Sequence, residues 1–304
     1  MIKVLISDNT HPVLAERLRE AGFDVSVEPN HDYESLIRAA QGCDGLVVRS
    51  KVQIDRAFID RVPSLRCIGR VGAGMETIDV DYAERKGIRC LNSPEGNRDA
   101  VGEHTVGLLL SLLNNIARAD AEVRQGLWRR EANRGRELGD MTVGIIGFGN
   151  MGQAFAKRLV GFGCNVLAYD KYHPANSTIE QIQAQVDVVS FHVPLTDETR
   201  HYLDADFIQR MAKPFYLLNT SRGAVVNTEA LADALDDGRI LGAALDVLEY
   251  ENMQADSLGD VPPALRRIMQ SPHTVLTPHV AGWTVESKYK LAAVLAEKII
   301  DVLK

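Results

Sequence analysis

The sequence lacks the features that mark secreted, membrane-spanning or metal-binding proteins. It has only four cysteines in 304 residues, with no CxxC pair and no His–Cys metal spacing: Cys43, Cys67, Cys90 and Cys164. No apolar run approaches the length that spans a bilayer, and the amino terminus, MIKVLISD, has the pattern of a strand rather than of a signal peptide. From these absences we expect free thiols, no metal and a cytoplasmic protein.

Positive charge is also in short supply. The chain has 34 Lys and Arg against 41 Asp and Glu, a net charge of −7, which argues against nucleic acid or an anionic membrane as the main partner. A hydrophobic content of 45% and a charged content of 25% are typical of a globular protein, and 304 residues suggest about two domains.

A glycine-rich stretch in the middle of the chain is the strongest local signal. The apolar run TVGII from Thr142 is followed by GFGNMG, Gly147 to Gly152, and then by residues with helical periodicity, so strand, glycine turn and helix come in order. Such a turn brings a helix N-terminus to a pyrophosphate, with one glycine for the tight turn, one for backbone approach and one for helix packing. A second strand ends in Asp170, which is placed to bind a ribose diol and to repel the 2′-phosphate of NADP, so we predict NAD. A structural turn and a methyltransferase-type nucleotide site are the alternatives.

Short apolar runs alternate with amphipathic stretches on both sides of this motif, which predicts parallel strands with helical crossovers. A long helix is expected from about Arg98 to Arg124, followed by the arginine-rich segment RQGLWRREANRGRE. The stretch from Glu286 to Leu303 is helical by pattern, but its periodicity does not indicate which domain it packs on.

Ligands of open α/β sheets bind at the carboxyl ends of the strands, so the residues after each predicted strand are the candidates for chemistry. Arg222 follows the buried run FYLLNTS, where a guanidinium can hold a carboxylate with two hydrogen bonds. With Glu251 and His279 it would supply an anion clamp, an orienting carboxylate and a proton donor. A solvated arginine or a structural histidine is the alternative at each position.

Several longer motifs carry a resemblance to a known family. GRVGAGMETID from Gly69, NSPEGN from Asn92, EHTVGLLL from Glu103, HVPLTDET from His192, NTSRG from Asn219, GAALDVLEYE from Gly242 and LTPHVAGWT from Leu276 occur in that order together with GFGNMG. Over nearly its whole length the chain resembles the NAD-dependent D-2-hydroxyacid dehydrogenases, and among them most of all the short form of the D-3-phosphoglycerate dehydrogenases.

The resemblance implies two doubly wound parallel-sheet domains. A Rossmann NAD-binding domain, residues 99–281, would be inserted into a flavodoxin-like substrate domain, residues 1–98 completed by 282–304. The catalytic residues would be Arg222, Glu251 and His279. The cofactor site would comprise Gly147, Gly149, Asn150, Met151, Gly152, Asp170, His192, Pro194, Thr199, Thr220 and Asp246, with Asp246 holding the nicotinamide carboxamide.

The same resemblance predicts the substrate site and the assembly. The substrate carboxylate would bind the backbone of the loop Val71, Gly72, Ala73 and Gly74, and Asn97 would also be a substrate-binding residue. Arg49, Arg70 and, from a second subunit, Arg130 resemble the lining of a phosphate site, with solvated rim arginines as the alternative. The long helix and the Trp128 segment would form a homodimer interface.

Two positions depart from the family pattern, and one other function shares it. The family usually has phenylalanine at Leu248 and proline at Asn252, both on the loop that carries Glu251, so the placement of that carboxylate is in question. The activity implied is reversible hydride transfer between NAD and a small D-2-hydroxy acid, with an NAD(H)-sensing, corepressor-like binding protein as the alternative.

Overall fold

A computed structural model describes residues 1–251 and 257–304. Its strands are β1 (Lys3–Ile6), β2 (Asp24–Val27), β3 (Gly45–Val48), β4 (Cys67–Arg70), β5 (Arg89–Asn92), β6 (Thr142–Ile146), β7 (Asn165–Tyr169), β8 (Val188–Phe191), β9 (Phe215–Asn219), β10 (Ile240–Leu245) and β11 (Thr274–Leu276). Its α-helices are α1 (Val13–Glu20), α2 (Tyr33–Ala39), α3 (Arg56–Arg61), α4 (Val80–Arg85), α5 (Arg98–Leu113), α6 (Ile116–Arg124), α7 (Asn150–Leu159), α8 (Ile179–Gln185), α9 (Ala205–Arg210), α10 (Thr228–Asp236), α11 (Pro263–Gln270) and α12 (Val285–Leu303). Within those ranges no helix is long and apolar enough to cross a bilayer.

The chain forms two compact units, residues 1–98 with 283–304, and residues 99–282. The first unit holds a five-stranded sheet of order β2-β1-β3-β4-β5, in which every pair is parallel. That is the strand order of flavodoxin-like folds. With a second parallel sheet in the other unit, the two α/β parallel sheets predicted from the alternation of strands and helices are confirmed.

Helix α12 is part of the core of the first unit, although its sequence is separated from the rest of that unit by nearly two hundred residues. Its Leu291, Leu295, Ile299 and Leu303 are buried in one apolar cluster with side chains of β1 and α1. Gly69 on β4 permits this approach, because a Cβ there would lie 3.1 Å from Cδ1 of Ile299. The helical pattern left the location of this segment open, and the packing decides it.

The second unit holds a six-stranded parallel sheet of order β11-β10-β9-β8-β6-β7. The order reverses beside β6, which pairs with β7 on one side and β8 on the other. In doubly wound sheets such a reversal opens a crevice at the carboxyl ends of the two central strands. The glycine turn predicted to bind the cofactor follows β6 and therefore lies at that point.

The prediction of one long helix from Arg98 to Arg124 was wrong. The structure has two helices, α5 and α6, separated by Asn114 and Asn115. Asn115 adopts the left-handed conformation, φ 54°, which asparagine tolerates better than most residues. The carbonyl of Leu113 accepts the main-chain N–H of Arg136 at 3.1 Å, so a residue from the arginine-rich segment takes up a carbonyl at the end of α5.

Candidate active site

The turn from β6 into α7 needs glycine at two of its three predicted positions for steric reasons. Gly147 has φ +93°, and a Cβ there would lie 2.6 Å from the carbonyl oxygen of His192. At Gly152 a Cβ would lie 2.0 Å from the carbonyl oxygen of Gly147, so the helix packs directly on the turn. At Gly149 a Cβ would meet only His173 Cε1 at 4.0 Å, which leaves the outer side of the turn open.

The N-terminus of α7 is free of side-chain capping. Its N-cap, Gly149, makes no side-chain hydrogen bond, so the first N–H groups, beginning at Asn150 and Met151, are not capped by a side chain. Free N–H groups and the positive end of the helix dipole form a suitable site for a pyrophosphate.

Asp170 closes β7 beside this turn. Its Oδ2 accepts the N–H of Phe148 at 2.6 Å, and its Oδ1 accepts the N–H groups of Tyr172 at 2.7 Å and His173 at 2.9 Å. Burial alone would raise the pKa of Asp170, but these hydrogen bonds lower it below its ordinary value, so the side chain is an ionised acceptor. Asp170 thus shapes the turn, and its contact with a ribose diol stays a prediction.

His192 follows β8 and faces the same end of the sheet. Its Nε2 lies 2.8 Å from Oγ of Ser190, while its Nδ1 is buried and has no partner among the described residues. Burial lowers the pKa of His192 to about 3, so the ring is neutral at pH 7. A buried ring nitrogen without a partner fits a site that a polar ligand completes.

The remaining predicted cofactor residues have structural partners of their own. Thr199 Oγ1 donates to the carbonyl of Pro194 at 2.6 Å and accepts the N–H of Thr196 at 2.8 Å, so it holds the turn after His192. Thr220 is buried, and its Oγ1 lies 3.1 Å from that of Thr105 on α5.

His279 and Glu251 form the predicted pair. Nδ1 of His279 lies 2.8 Å from Oε1 of Glu251, and Oε2 of Glu251 accepts the N–H of Leu248 at 3.2 Å. His279 has φ +55°, a left-handed conformation that is uncommon outside glycine. Its main-chain N–H donates to the carbonyl of Asp246 at 2.7 Å, which holds the residue in that conformation.

Arg222 is placed by an asparagine-centred turn at the end of β9. The side chain of Asn219 accepts the N–H of Ser221 at 3.0 Å and donates to the carbonyl of Arg222 at 2.9 Å. The next residue, Gly223, packs on the main chain of the Glu251 loop, because a Cβ there would lie 2.0 Å from the carbonyl carbon of Leu248. The turn that carries the arginine and the loop that carries the glutamate are therefore in direct contact.

Asp246 connects these loops, and the sequence patterns did not indicate this role. Its side chain is only 1% exposed. Oδ1 accepts hydrogen bonds from the hydroxyl of Thr277 at 2.5 Å and from the N–H of Val280 at 2.9 Å. Oδ2 accepts the N–H of Ala281 at 2.8 Å. Burial alone would raise the pKa of Asp246, but hydrogen bonds from His104, Thr277 and these N–H groups lower it. The carboxylate binds the segment on both sides of His279, so it positions the imidazole; contact with a nicotinamide stays a prediction.

A second histidine–glutamate pair includes a residue of the Glu251 loop and was not predicted. Nε2 of His201 lies 2.6 Å from Oε1 of Glu249, and Oε2 of Glu249 accepts Oγ1 of Thr228 at 2.6 Å. Burial alone would raise the pKa of Glu249, but these bonds lower it. Glu249, two residues before Glu251, thereby holds the loop against the start of α10. Leu248 packs partly buried against the core on this loop, whereas Asn252 lies outside the described residues.

The predicted substrate residues of the first unit lie at the carboxyl ends of β3, β4 and β5. The carbonyls of Gly72 and Ala73 accept the N–H of Ser93 at 2.9 Å and Nδ2 of Asn92 at 2.6 Å. No main-chain hydrogen bond from the N–H groups of Gly72, Ala73 or Gly74 is found among residues 1–251 and 257–304. Two carbonyls of the loop are therefore engaged, and Val71 donates its own N–H to the carbonyl of Val48 at 3.0 Å. Binding of an anion by the N–H groups of Gly72, Ala73 and Gly74 stays a prediction.

The predicted phosphate-site arginines are divided between the two units. In the first unit the guanidinium of Arg49 lies over the ring of Trp283, 4.9 Å from its centroid, and Nε of Arg70 donates to the carbonyl of Arg49 at 3.4 Å. Oδ1 of Asn97 is buried without a partner in the described chain. Arg130 is exposed in the second unit, in the segment after α6.

Residues 106–281 match the NAD-binding domain of the D-isomer specific 2-hydroxyacid dehydrogenases. The chain belongs to this family. The family resemblance and the NAD cofactor predicted from the motifs are thereby confirmed.

Known proteins extend this similarity over the whole chain. The D-3-phosphoglycerate dehydrogenase of Methanocaldococcus jannaschii is 34% identical over 314 residues, covering 100% of this chain and 58% of that protein. The hydroxypyruvate reductase of Thermotoga maritima is 34% identical over 290 residues, covering 92% of each. The solved D-lactate dehydrogenase from Aquifex aeolicus, complexed with NAD and lactic acid, superposes with a TM-score of 0.82 at 26% identity, covering 99% of this chain and 94% of that one. The chain thus spans little more than half the length of the first of these relatives.

Proposed function

We propose that this chain catalyses reversible hydride transfer between NAD and a small D-2-hydroxy acid. The observation that carries the proposal is the 2.8 Å pair of His279 and Glu251, with the Glu251 loop in contact with the Arg222 turn, at the carboxyl edge of an NAD-binding sheet. An acid/base group, its orienting carboxylate and an anion-binding guanidinium are the groups that reversible oxidation of a hydroxy acid requires.

In this mechanism the protein groups have different tasks. Arg222 binds the substrate carboxylate and polarises the reacting oxygen. Since Nδ1 of His279 faces Glu251, Nε2 is the nitrogen that takes the hydroxyl proton in oxidation and returns it in reduction. Bound NAD supplies the hydride chemistry. The open side of the Gly149 turn, the uncapped start of α7 and the partnerless Nδ1 of His192 fit that cofactor.

The substrate we propose carries a phosphate as well as a carboxylate. The N–H groups of Gly72, Ala73 and Gly74 suit the carboxylate, and Arg49 and Arg70 with Arg130 of a second copy suit the phosphate. The relatives include an enzyme named for phosphoglycerate, one named for hydroxypyruvate and one solved with lactic acid, so the family by itself does not select among them.

Steady-state kinetics on a substrate panel test this function. NADH formation should occur with 3-phosphoglycerate and be slower with glycerate, lactate and glycolate. Arg49→Gln should raise KM for 3-phosphoglycerate while leaving KM for glycerate unchanged; equal effects on both substrates would contradict the phosphate site. Tight NADH binding without turnover of any hydroxy acid would contradict the enzyme and favour an NAD(H)-sensing protein.

We also propose a homodimer whose interface is formed by α6 and by the segment around Trp128 that follows it. Ile116, Val123 and Trp128 are 53%, 51% and 80% exposed, which is unusual for large apolar side chains so near each other in sequence. Sedimentation equilibrium should give a dimer for the wild type and a weaker dimer for Trp128→Ser. Val160→Ser, at a side chain 79% exposed elsewhere in the same unit, is the control and should leave the dimer intact.

A cytoplasmic location is the last part of the proposal. All four cysteines are free thiols, and burial raises the pKa of Cys67 to about 12 and that of Cys90 to about 11, so neither reacts readily. Unpaired thiols suit a reducing compartment. Mass spectrometry after alkylation should find four reduced thiols in protein isolated from its own cells.

A further inference from the structure

A cavity of about 180 Å³ lies in the second unit, at the amino ends of β9, β10 and β11. Its wall includes Tyr216, Leu241 and Thr274, each among the first two residues of its strand. The candidate catalytic residues follow the opposite, carboxyl ends of the same strands. The cavity and the catalytic loops are therefore separated by about one strand length, roughly 15 Å.

The wall of this cavity carries positive charge and no negative charge. Arg118, Arg134 and Arg136 contribute to it, and none of its fourteen described lining residues is acidic. Ser111 and Tyr216 add hydroxyl groups. In a chain with a net charge of −7, three guanidinium groups around one small cavity are a local exception.

The three arginines differ in how far they are already engaged. Arg118 donates from Nε to Asn133 at 3.0 Å and also donates to the carbonyl of Ala132, so it holds the arginine-rich segment against α6. Among residues 1–251 and 257–304, the guanidinium of Arg134 pairs with the exposed Glu131 alone, at 2.7 Å, a surface interaction of small free energy. The Arg136 side chain makes no hydrogen bond or ion pair with any residue the structure describes.

The position of Arg136 is nevertheless well defined. Its main-chain N–H donates to Leu113 at the end of α5, which holds its backbone at the rim of the cavity. Asp187 attracts it electrostatically, but that carboxylate is already bound to Lys213 at 2.7 Å and to the N–H of Thr142 at 2.9 Å. The donors of Arg136 are thus available to a ligand.

The cavity lies on a different face of α6 from the apolar side chains that we assign to the dimer. Ile116 and Val123 are seven residues apart, about two helical turns, and share one face. Arg118 follows Ile116 by two residues, roughly 200° around the helix axis, and is on the opposite face. A second copy on the apolar face would therefore leave the Arg118 face uncovered.

We propose that this cavity binds a small tetrahedral oxyanion, a phosphate group, with Arg134 and Arg136 as its main ligands. Guanidinium groups match phosphate oxygens with paired hydrogen bonds, and two of them neutralise a dianion. The cavity is several times the volume of a water molecule, about 30 Å³, so it accommodates free phosphate or the phosphoryl end of a small ester.

Calorimetric titration tests the site with inorganic phosphate and with glycerol 3-phosphate at constant ionic strength. NADH and oxamate are kept saturating so that the proposed catalytic site is filled. Wild type should bind saturably, and Arg136→Gln should raise the Kd at least about tenfold, the usual effect of losing a charged hydrogen bond. The control Arg210→Gln, at an exposed arginine of α9 paired loosely with Asp206 at 3.9 Å, should not change it. Tighter binding of the ester identifies a phosphate ester as the ligand, and tighter binding of phosphate identifies the free ion.

A crystal of the wild type soaked in tungstate locates the anion independently of any variant. The anomalous peak should lie between Arg134 and Arg136. No saturable binding, an unchanged Kd in Arg136→Gln, or a tungstate peak only elsewhere would overturn the site. Loss of self-association in Arg136→Gln with an unchanged phosphate Kd would assign these arginines to an interface instead.

Discussion

The pairing of His279 with Glu251 is a contact between residues 28 positions apart, and it gives the imidazole a defined orientation. We expect His279→Ala to lower kcat by about 10²–10⁴, the usual contribution of a positioned acid or base, while NADH binding persists. Stopped-flow kinetics and NADH fluorescence measure the two quantities. The control His273→Ala, at an exposed histidine remote from the pair, should keep full kcat. Near-normal kcat in His279→Ala, where chemistry limits turnover, would return His279 to a structural role.

The carboxylate of Asp170 should set the preference for NAD over NADP. Asp170→Asn keeps the shape and one acceptor for the three N–H groups around it, but it removes the negative charge that would repel a 2′-phosphate. The loss of a charged acceptor should weaken NAD binding by roughly 1.5–3 kcal/mol. The difference between the affinities for NAD and NADP should therefore become smaller. Dissociation constants for both nucleotides measure this. A wild type that already binds them equally would contradict the assignment.

Burial of His192 should make stability depend on pH in a specific window. Its pKa is about 3 in the folded chain and 6.5 unperturbed, so between these values the unfolded chain binds one more proton than the folded chain. Stability therefore rises with pH in this window, and it falls by about 1.4 kcal/mol per unit as the pH is lowered. Urea unfolding measures the free energy of unfolding at pH 6 and at pH 4.5. Its decrease from pH 6 to pH 4.5 should be roughly 2 kcal/mol larger in the wild type than in His192→Gln. Equal losses in the two proteins would show that His192 is not buried.

At the scale of elements, the β6–α7 turn is a close contact between a helix and the turn that precedes it. Gly152→Ala would place a methyl group 2.0 Å from the carbonyl of Gly147, and main-chain atoms cannot easily move apart. We expect NAD binding to be lost together with several kcal/mol of stability, as for overpacking at a rigid contact. Gly161→Ala, just beyond the same helix and with no atom within 4 Å of its added Cβ, is the matched control and should be nearly neutral. Similar Tm and Kd values for both variants would contradict this account.

The loops at the carboxyl edge of the second sheet also act as one element. Asp246 binds the 277–281 segment, Gly223 packs on Leu248, and Glu249 is held by His201 and Thr228. These contacts join the loops of Arg222, Glu251 and His279 before any substrate binds. The departure from the family pattern at Leu248 is thus accommodated by contacts that hold the main chain on both sides of it.

At the scale of the whole molecule, the first unit is completed by a helix from the far end of the chain. The buried Leu291, Leu295, Ile299 and Leu303 each contribute about 1.5–3 kcal/mol, a sum comparable with the whole stability of a domain, about 5–15 kcal/mol. We expect a chain ending at residue 284 to lose the cooperative unfolding of residues 1–98 while the second unit still melts. Limited proteolysis should then cleave the first unit selectively. Resistance of both units would contradict the contribution assigned to α12.

Local chemistry determined much of this protein before any tertiary contact is considered. The alternation of strands and helices, the Gly147–Gly152 turn and the placement of Asp170, Arg222 and His279 after strands follow from periodicity and from backbone sterics, which act within a few residues. The family and its cofactor followed from motifs of the same short range.

Only the tertiary structure decided the features that depend on distant partners. Apolar periodicity shows that one face of α12 is buried, but it does not show against which sheet. The same periodicity continues across Asn115 and so does not indicate that α5 ends there. The residue that binds the carbonyl of Leu113 at that end, Arg136, lies 23 residues further along the chain. The hydrogen bonds of Asp246 and Glu249 and the arginine-lined cavity likewise depend on residues that are distant in the sequence. Hydrogen bonds and ion pairs join side chains that no sequence period relates, so their partners are known only when the chain is folded.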